Sequence, residues 1–211
     1  LYAYAIPRGY APDKVDLAHY LFVGGAPGAP REEFTEEEIE IVRQNIGRVP
    51  YAEYIYCQIY LGFRPHEFLT LDCANYDPRE RCFVGGGKTE AGTDRSVTVS
   101  PKIQPIVDRL LDGRESGAVF CNEEGRTLSD KKYREIFYEA LKAMGLPLSA
   151  ADGSARKLTP HCCRHSFATL LKSIEAPDKD KLELMGHTST EMLRHYQHTN
   201  YNDLRKITDN L

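Results

Sequence analysis

Apolar positions recur at helical spacing over most of this chain and shorten to an every-other-residue pattern only between Thr70 and Ser100. Thr35-Glu36-Glu37-Glu38 forms a capping box, with the Thr35 hydroxyl facing the first free amides and Glu38 reaching back, so a helix is predicted from about 36 to 46. Its cluster of glutamates suits the positive end of a helix dipole. A second helix is predicted from Pro50 to about Leu61; it carries Tyr51, Tyr54, Ile55, Ile59 and Tyr60, read as packing residues, and stops at Gly62. Segments near 70–76, 80–84 and 95–99 alternate or are β-branched, and glycines at 85–87 and 92 punctuate them, which predicts a three-stranded antiparallel sheet. Ser100-Pro101 opens a helix ending near Gly113, and Asp130–Met144 forms another with Tyr133, Ile136, Phe137, Ala140 and Leu141 on one side, closed by Gly145. Ala151–Arg156 reads as a polar loop. Thr159-Pro160 has the form of a helix start, with a hydroxyl to cap and a ring preset for the first turn. In the tail, Tyr201, Leu204, Ile207 and Leu211 fall at helical intervals. Such a stripe docks either on its own domain or on a neighbouring subunit. The fold class is therefore α+β: a mainly α-helical domain with one small antiparallel sheet.

The first 33 residues differ from the rest. They are rich in Gly, Pro and Tyr, include Gly24-Gly25-Ala26-Pro27-Gly28-Ala29-Pro30, and show no sustained periodicity. The expected division is a linker or irregular segment over 1–33, a main folded domain over 34–200 and a tail helix over 201–211. A chain of 211 residues with 41% hydrophobic content is long enough to bury one well-packed core. No run of eighteen apolar residues exists and the start is no secretory signal, so a soluble, intracellular protein without a membrane partner is expected. The opening on Leu1 rather than Met suggests a fragment lacking a natural N-terminal part. Six cysteines (Cys57, Cys73, Cys82, Cys121, Cys162, Cys163) lack the density of a secreted disulfide scaffold and are read as reduced thiols. A net charge of −4 argues against a protein that coats DNA through bulk basicity. However, residues 1–63 hold five Lys/Arg against nine Asp/Glu, so the remainder carries 27 − 5 = 22 basic and 31 − 9 = 22 acidic residues. The acid excess sits in the first third, and a local basic face elsewhere stays open.

The candidate chemistry gathers in Thr159–Asn200. His161 and Arg164 stand one turn apart on a predicted helix, so they are expected on one face. A permanently charged guanidinium fork beside an imidazole donor suits the non-bridging oxygens of a phosphodiester. Gly186 fits a helix C-cap, His187 follows it, and Tyr196 lies nine residues further on. Each of these residues taken singly fits an ordinary structural role; the set is harder to explain that way. Earlier in the chain, Arg64 precedes a helix-starting proline and Glu67, one turn later, is placed to hold its guanidinium. On its own this pair is an ordinary surface ion pair. Lys88 falls in a glycine-rich turn, where a lysine is ordinarily just solvated. A structural zinc site built from His161, Cys162, Cys163 and His165 is disfavoured, because adjacent helical cysteines point in different directions.

The run His161-Cys162-Cys163-Arg164-His165, followed by Phe167-Ala168-Thr169, Leu184-Met185-Gly186-His187 and Tyr196, resembles the C-terminal signature of the tyrosine recombinases, the phage integrase family. The family pattern is H-x-x-R-H, then L-G-H, then a tyrosine nine residues after the last histidine. Met185 stands beside the glycine where leucine is usual, and Cys162-Cys163 replace a polar residue and a leucine; neither change removes a chemical group. Gly62-Phe63-Arg64-Pro65-His66-Glu67 is similar to the family's G-x-R-x-x-E box, and Lys88, Thr89, Gly92 and Arg95 to its K-T-x-x-G-x-x-R hairpin. The resemblance implies catalytic roles for Arg64, Lys88, His161, Arg164, His187 and Tyr196, with Glu67 supporting Arg64. Tyr196 would attack DNA to give a 3′-phosphotyrosyl link, the arginines and His187 would hold the phosphate oxygens, His161 would relay a proton, and Lys88 would be the general acid. It implies no cofactor, metal or ATP. Its implied partners are double-stranded DNA attachment sites, a homotetramer on DNA with an N-terminal clamp domain, and accessory DNA-bending proteins, in the bacterial cytoplasm at the nucleoid. Two rival readings are a type IB topoisomerase relaxing supercoils with the same groups and a catalytically idle DNA-binding module.

Overall fold

A computed structural model of the chain describes residues 33–85, 95–147, 157–186 and 201–211. The chain divides into two units, Leu1–Pro30 and Arg31–Leu211, and the described residues all lie in the second. The linker expected over 1–33, apart from Glu33, and the polar loop expected over Ala151–Arg156 lie outside the described residues.

Helix α1 (Glu36–Gln44) begins at the expected box. The Glu38 N–H donates to Thr35 Oγ1 at 3.3 Å and the Thr35 N–H donates to Glu38 Oε2 at 2.8 Å, so two otherwise orphaned donors are satisfied reciprocally. Helix α2 (Ala52–Leu61) is apolar almost all round, and every residue from Tyr54 to Leu61 is buried, as befits a helix enclosed by others rather than lying on a surface. Two of its polar side-chain atoms are bonded inside, while the buried Gln58 Nε2 has no hydrogen-bond partner among the described residues. Gln58 Oε1 accepts from Tyr133 Oη at 2.8 Å, and Tyr54 Oη donates to the Cys121 carbonyl at 2.8 Å. The tyrosines of this helix are packing residues, as expected. Gly62 ends α2 with φ +61°, and a Cβ there would lie 2.1 Å from the Phe167 ring, so both the backbone conformation and the close approach require glycine.

The short helix α3 (Pro65–Leu69) follows at once. The three expected strands form an antiparallel sheet in the order β1 (Tyr76–Asp77), β2 (Cys82–Gly85), β3 (Arg95–Thr98), with Tyr76 opposite Phe83 and Gly85 opposite Arg95. The first strand is much shorter than the predicted 70–76. Asp72 is the reason: its carboxylate accepts from the N–H groups of Ala74 and Gly117, each at 3.0 Å, and its own N–H donates to Asn75 Oδ1 at 2.8 Å. The bonds with Ala74 and Asn75 wind Cys73–Asn75 into a 3-10 turn in place of a ladder, and the bond from Gly117, distant in sequence, anchors that turn.

Helix α4 (Gln104–Leu111) starts after a turn at Pro101–Ile103, later than the predicted Ser100-Pro101 start. Helix α5 (Asp130–Ala143) buries the predicted face of Tyr133, Ile136, Phe137, Ala140 and Leu141. Helix α6 (Pro160–Ser173) packs along α2, and α7 (Asp178–Met185) ends at Gly186 with φ +59°, the expected cap. The α+β class expected from periodicity is the class observed. All six cysteines are free thiols, and among the described residues no helix is long and apolar enough to cross a membrane.

The tail forms α8 (Tyr201–Thr208), and it docks on its own domain against β3 and α7. Leu204, Ile207 and Leu211 are buried there, Thr208 Oγ1 meets Thr98 Oγ1 at 2.9 Å, and Arg205 pairs with Glu80 at 2.6 Å. Leu204→Ala is expected to cost about 2–5 kcal/mol, read as a lower urea midpoint that does not change with protein concentration; a concentration-dependent midpoint would place the tail across a subunit boundary instead.

Candidate active site

The turn after α2 builds the site. Gly62 in its left-handed conformation reverses the chain, Phe63 goes fully into the core, and Arg64 begins α3 with extended backbone. Glu67 closes that helix start: it accepts from the Arg64 N–H at 3.0 Å through Oε2 and from Arg64 Nη1 at 2.7 Å through Oε1. The pairing expected from the sequence is therefore made. It is not the solvated pair the residues alone suggested, because the Glu67 side chain is only 3% exposed. Burial by itself would raise the Glu67 carboxyl. The Arg64 N–H and guanidinium, with the charges of Arg95 and Arg64, outweigh it and hold the group below its ordinary value.

Arg164 reaches the same place from the first turns of α6. Its Nη1 donates to the Gly62 carbonyl at 2.7 Å and its Nη2 to the Met185 carbonyl at the end of α7. Burial, then the like charge of Arg64, push its pKa down to about 10, which leaves it charged at neutral pH. His161 lies three residues earlier on α6, yet the two side chains do not share an environment: Arg164 is buried and His161 is exposed. A three-residue step rotates a helix by about 300°, enough to turn one inward and leave the other at the surface. His161 and Arg64 both line a cleft of about 370 Å³, together with His66, Asp130, Arg134, Tyr138 and Lys157. That lining is the local basic face left open by the charge count, and His66 Nδ1 lies 3.4 Å from Asp130 within it.

Arg64 is thus the common member: it is bonded to Glu67, it lines the cleft with His161, and Arg164 lies behind it on the Gly62 carbonyl. Lys88, His187 and Tyr196 lie outside the described residues. Their neighbours along the chain are placed: Lys88 is three residues past Gly85, and His187 follows Gly186 directly. Among the described residues no group of three or more His, Cys, Asp or Glu side chains is positioned to hold a metal ion.

One member of the cluster was quoted in the hairpin motif without a role. Arg95, 5% exposed, donates from Nη1 to Met185 O at 2.7 Å and from Nη2 to Gly62 O at 3.2 Å, and it lies 3.7 Å from Glu67. Its guanidinium sits 4.2 Å from the centre of the Phe63 ring. Burial, then the charge of Arg164, push its pKa down to about 9. The alternation of β3 was the available signal, since Arg95 falls in step with Val97 and Val99, both fully buried.

Comparison with known proteins supplies the family and the fold. The model of the phage integrase family matches residues 33–203. The chain is 29% identical over 155 residues to tyrosine recombinase XerC of Actinobacillus pleuropneumoniae, covering 70% of this chain and 47% of that one. It is 32% identical over 113 residues to tyrosine recombinase XerD of Lacticaseibacillus casei, covering 50% and 36%. The chain thus spans about half, or less, of these curated relatives. Among solved structures, the Tn1549 transposon integrase in complex with a circular intermediate DNA superimposes with a TM-score of 0.67 at 19% identity, over 97% of this chain and 73% of that one, which shows a shared fold. With a family model matching residues 33–203, most of its length, the chain belongs to the phage integrase family.

Proposed function

We propose that residues 34–200 are the catalytic domain of a site-specific DNA recombinase that cuts and rejoins duplex DNA through a tyrosine, with 1–33 as a linker and 201–211 as a tail helix. The observation that carries this reading is the convergence of Arg64 and Arg164, from opposite ends of the domain's sequence, beside a cleft lined by His161. Counted over Arg64, Arg95, Arg164 and Glu67, three positive charges meet one negative, a setting that favours an anion at the cleft. A phosphodiester gains charge on its non-bridging oxygens as it is attacked, and fixed cations stabilise that state most.

Each residue then has a step. Tyr196 Oη forms a bond to phosphorus and gives its proton to His161. Arg64 and Arg164 hold the non-bridging oxygens, with His187 donating a further hydrogen bond. The bond from phosphorus to the 5′-oxygen breaks, and Lys88 supplies that oxygen's proton. The ester energy is kept in the 3′-phosphotyrosyl link, so the reverse attack by a 5′-hydroxyl rejoins a strand without ATP, and the arginines offset the negative charge that a divalent metal would otherwise neutralise. On this reading the working form is four protomers on two duplex attachment sites, with accessory DNA-bending proteins, in the bacterial cytoplasm.

Nicked duplexes randomised around the nick supply the test. Wild type is expected to form a protein–DNA adduct that survives denaturant, which selects the preferred sequence, and Tyr196→Phe is expected to form none; an adduct with Tyr196→Phe would remove Tyr196 from the role of nucleophile. Glu67 gives a second test through pH. Its folded carboxyl is held below the ordinary 4.5, so its contribution is fully present above that value and is lost as pH falls through the lower folded value. Glu67→Gln is therefore expected to lose about 3–5 kcal/mol at pH 7, and the gap from wild type in urea midpoint should narrow below pH 4.5. A gap independent of pH would contradict the ionised role.

A further inference from the structure

Arg95 and Arg164 make the same two bonds. Gly62 O accepts from Arg164 Nη1 and Arg95 Nη2, and Met185 O accepts from Arg95 Nη1 and Arg164 Nη2, which closes a ring of four hydrogen bonds between two guanidinium groups and two main-chain carbonyls. The carbonyls belong to segments that lead into proposed catalytic residues: Gly62 is two residues before Arg64, and Met185 two before His187. Arg95 itself is the β3 residue paired with Gly85 on β2, so it stands where the hairpin opens into the segment that carries Lys88.

A buried guanidinium is a costly way to fill space. Arg95 Nε, moreover, finds no hydrogen-bond partner among the described residues, a penalty that a Met or Leu of similar length would avoid. What the apolar residue lacks is the rigid fork. A planar guanidinium fixes two acceptors from two different segments at a set separation, while its face rests on Phe63.

Resting on the function proposed above, we infer that Arg95 is a positioning residue: it ties the root of the β2–β3 hairpin to the Gly62–Arg64 turn and to the end of α7, and so sets where Lys88 meets the departing 5′-oxygen. Arg95 need not touch DNA to do this. Removing its fork leaves Arg64, Arg164, His161 and Tyr196 in the chain but loosens the element that brings the general acid.

The test uses the full chain and the duplex selected by wild type, made in two forms, with oxygen or with sulfur at the 5′ bridging position of the cleaved phosphate. A thiol ionises near pH 8.5, so the sulfur leaves as thiolate and needs no proton from Lys88. Lys88→Ala is expected to slow single-turnover cleavage of the oxygen duplex by about 10²–10⁴-fold and to cleave the sulfur duplex near the wild-type rate. Arg95→Met is expected to follow it, slowed on the order of 10²-fold on oxygen and restored on sulfur, while its DNA affinity by fluorescence anisotropy stays near wild type. Arg95→Lys keeps the charge, loses the fork, and is expected to show the same sulfur rescue; it is the deciding variant if Arg95→Met does not fold. An Arg95 variant that folds and is slowed equally on both duplexes overturns the inference, as does Lys88→Ala slow on sulfur. Wild type failing on both duplexes overturns instead the function on which the inference rests.

Discussion

Two main-chain carbonyls, Gly62 O and Met185 O, organise the functional half of this domain. Each accepts from both Arg95 and Arg164, and through them the end of α2, the root of the β-hairpin, the start of α6 and the end of α7 meet within a few ångströms. Helix C-termini leave their last carbonyls without intrahelical partners. A guanidinium there satisfies an orphan acceptor and sits at the negative end of the helix dipole. Both α2 and α7 end in glycines with positive φ, Gly62 and Gly186, which turn the chain away and leave those carbonyls open to the arginines. The bonds are charge-assisted, worth about 1.5–3 kcal/mol each, so they help to offset the cost of burying two cations.

Glu67 balances that arrangement. It caps the helix on which it sits, holds Arg64, and lies near Arg95, so one carboxylate restrains two guanidinium groups while the third is held by carbonyls. The restraint fixes the plane of the Arg64 guanidinium, as the proposed function requires of a group that would present two N–H donors to a phosphate. The acidity of the chain as a whole says little about this region. The net charge of −4 is set by the first third, whereas the cleft beside Arg64 gathers His66, Arg134, Lys157 and His161 around a single Asp130.

Much of this was legible in the sequence because it is local. The α1 capping box, the apolar face of α5, the Gly186 cap and the Arg64–Glu67 pair each depend on residues within a turn or two of one another. What escaped depends on distance. Nothing near Asp72 announces that Gly117 will return to donate to its carboxylate and cut the first strand short. The spacing of His161 and Arg164 placed them on one face, and only the packing of α6 on α2 shows that one is swallowed and the other left at the cleft. Arg95 was visible as a motif position, and its partners lie 33 and 90 residues away. The tail stripe predicted a helix correctly but not its host, which the Thr98–Thr208 contact supplies.

The central claim is that Arg64 and Arg164 address one phosphorus atom. A crystal structure of the Tyr196→Phe chain on its selected duplex tests it most directly. The account predicts a single phosphate whose non-bridging oxygens lie about 2.7–2.9 Å from nitrogens of both guanidinium groups, with residue 196 facing the same phosphorus. A duplex held elsewhere on the domain, or a phosphate touched by Arg64 alone while Arg164 keeps only its two carbonyls, would contradict it.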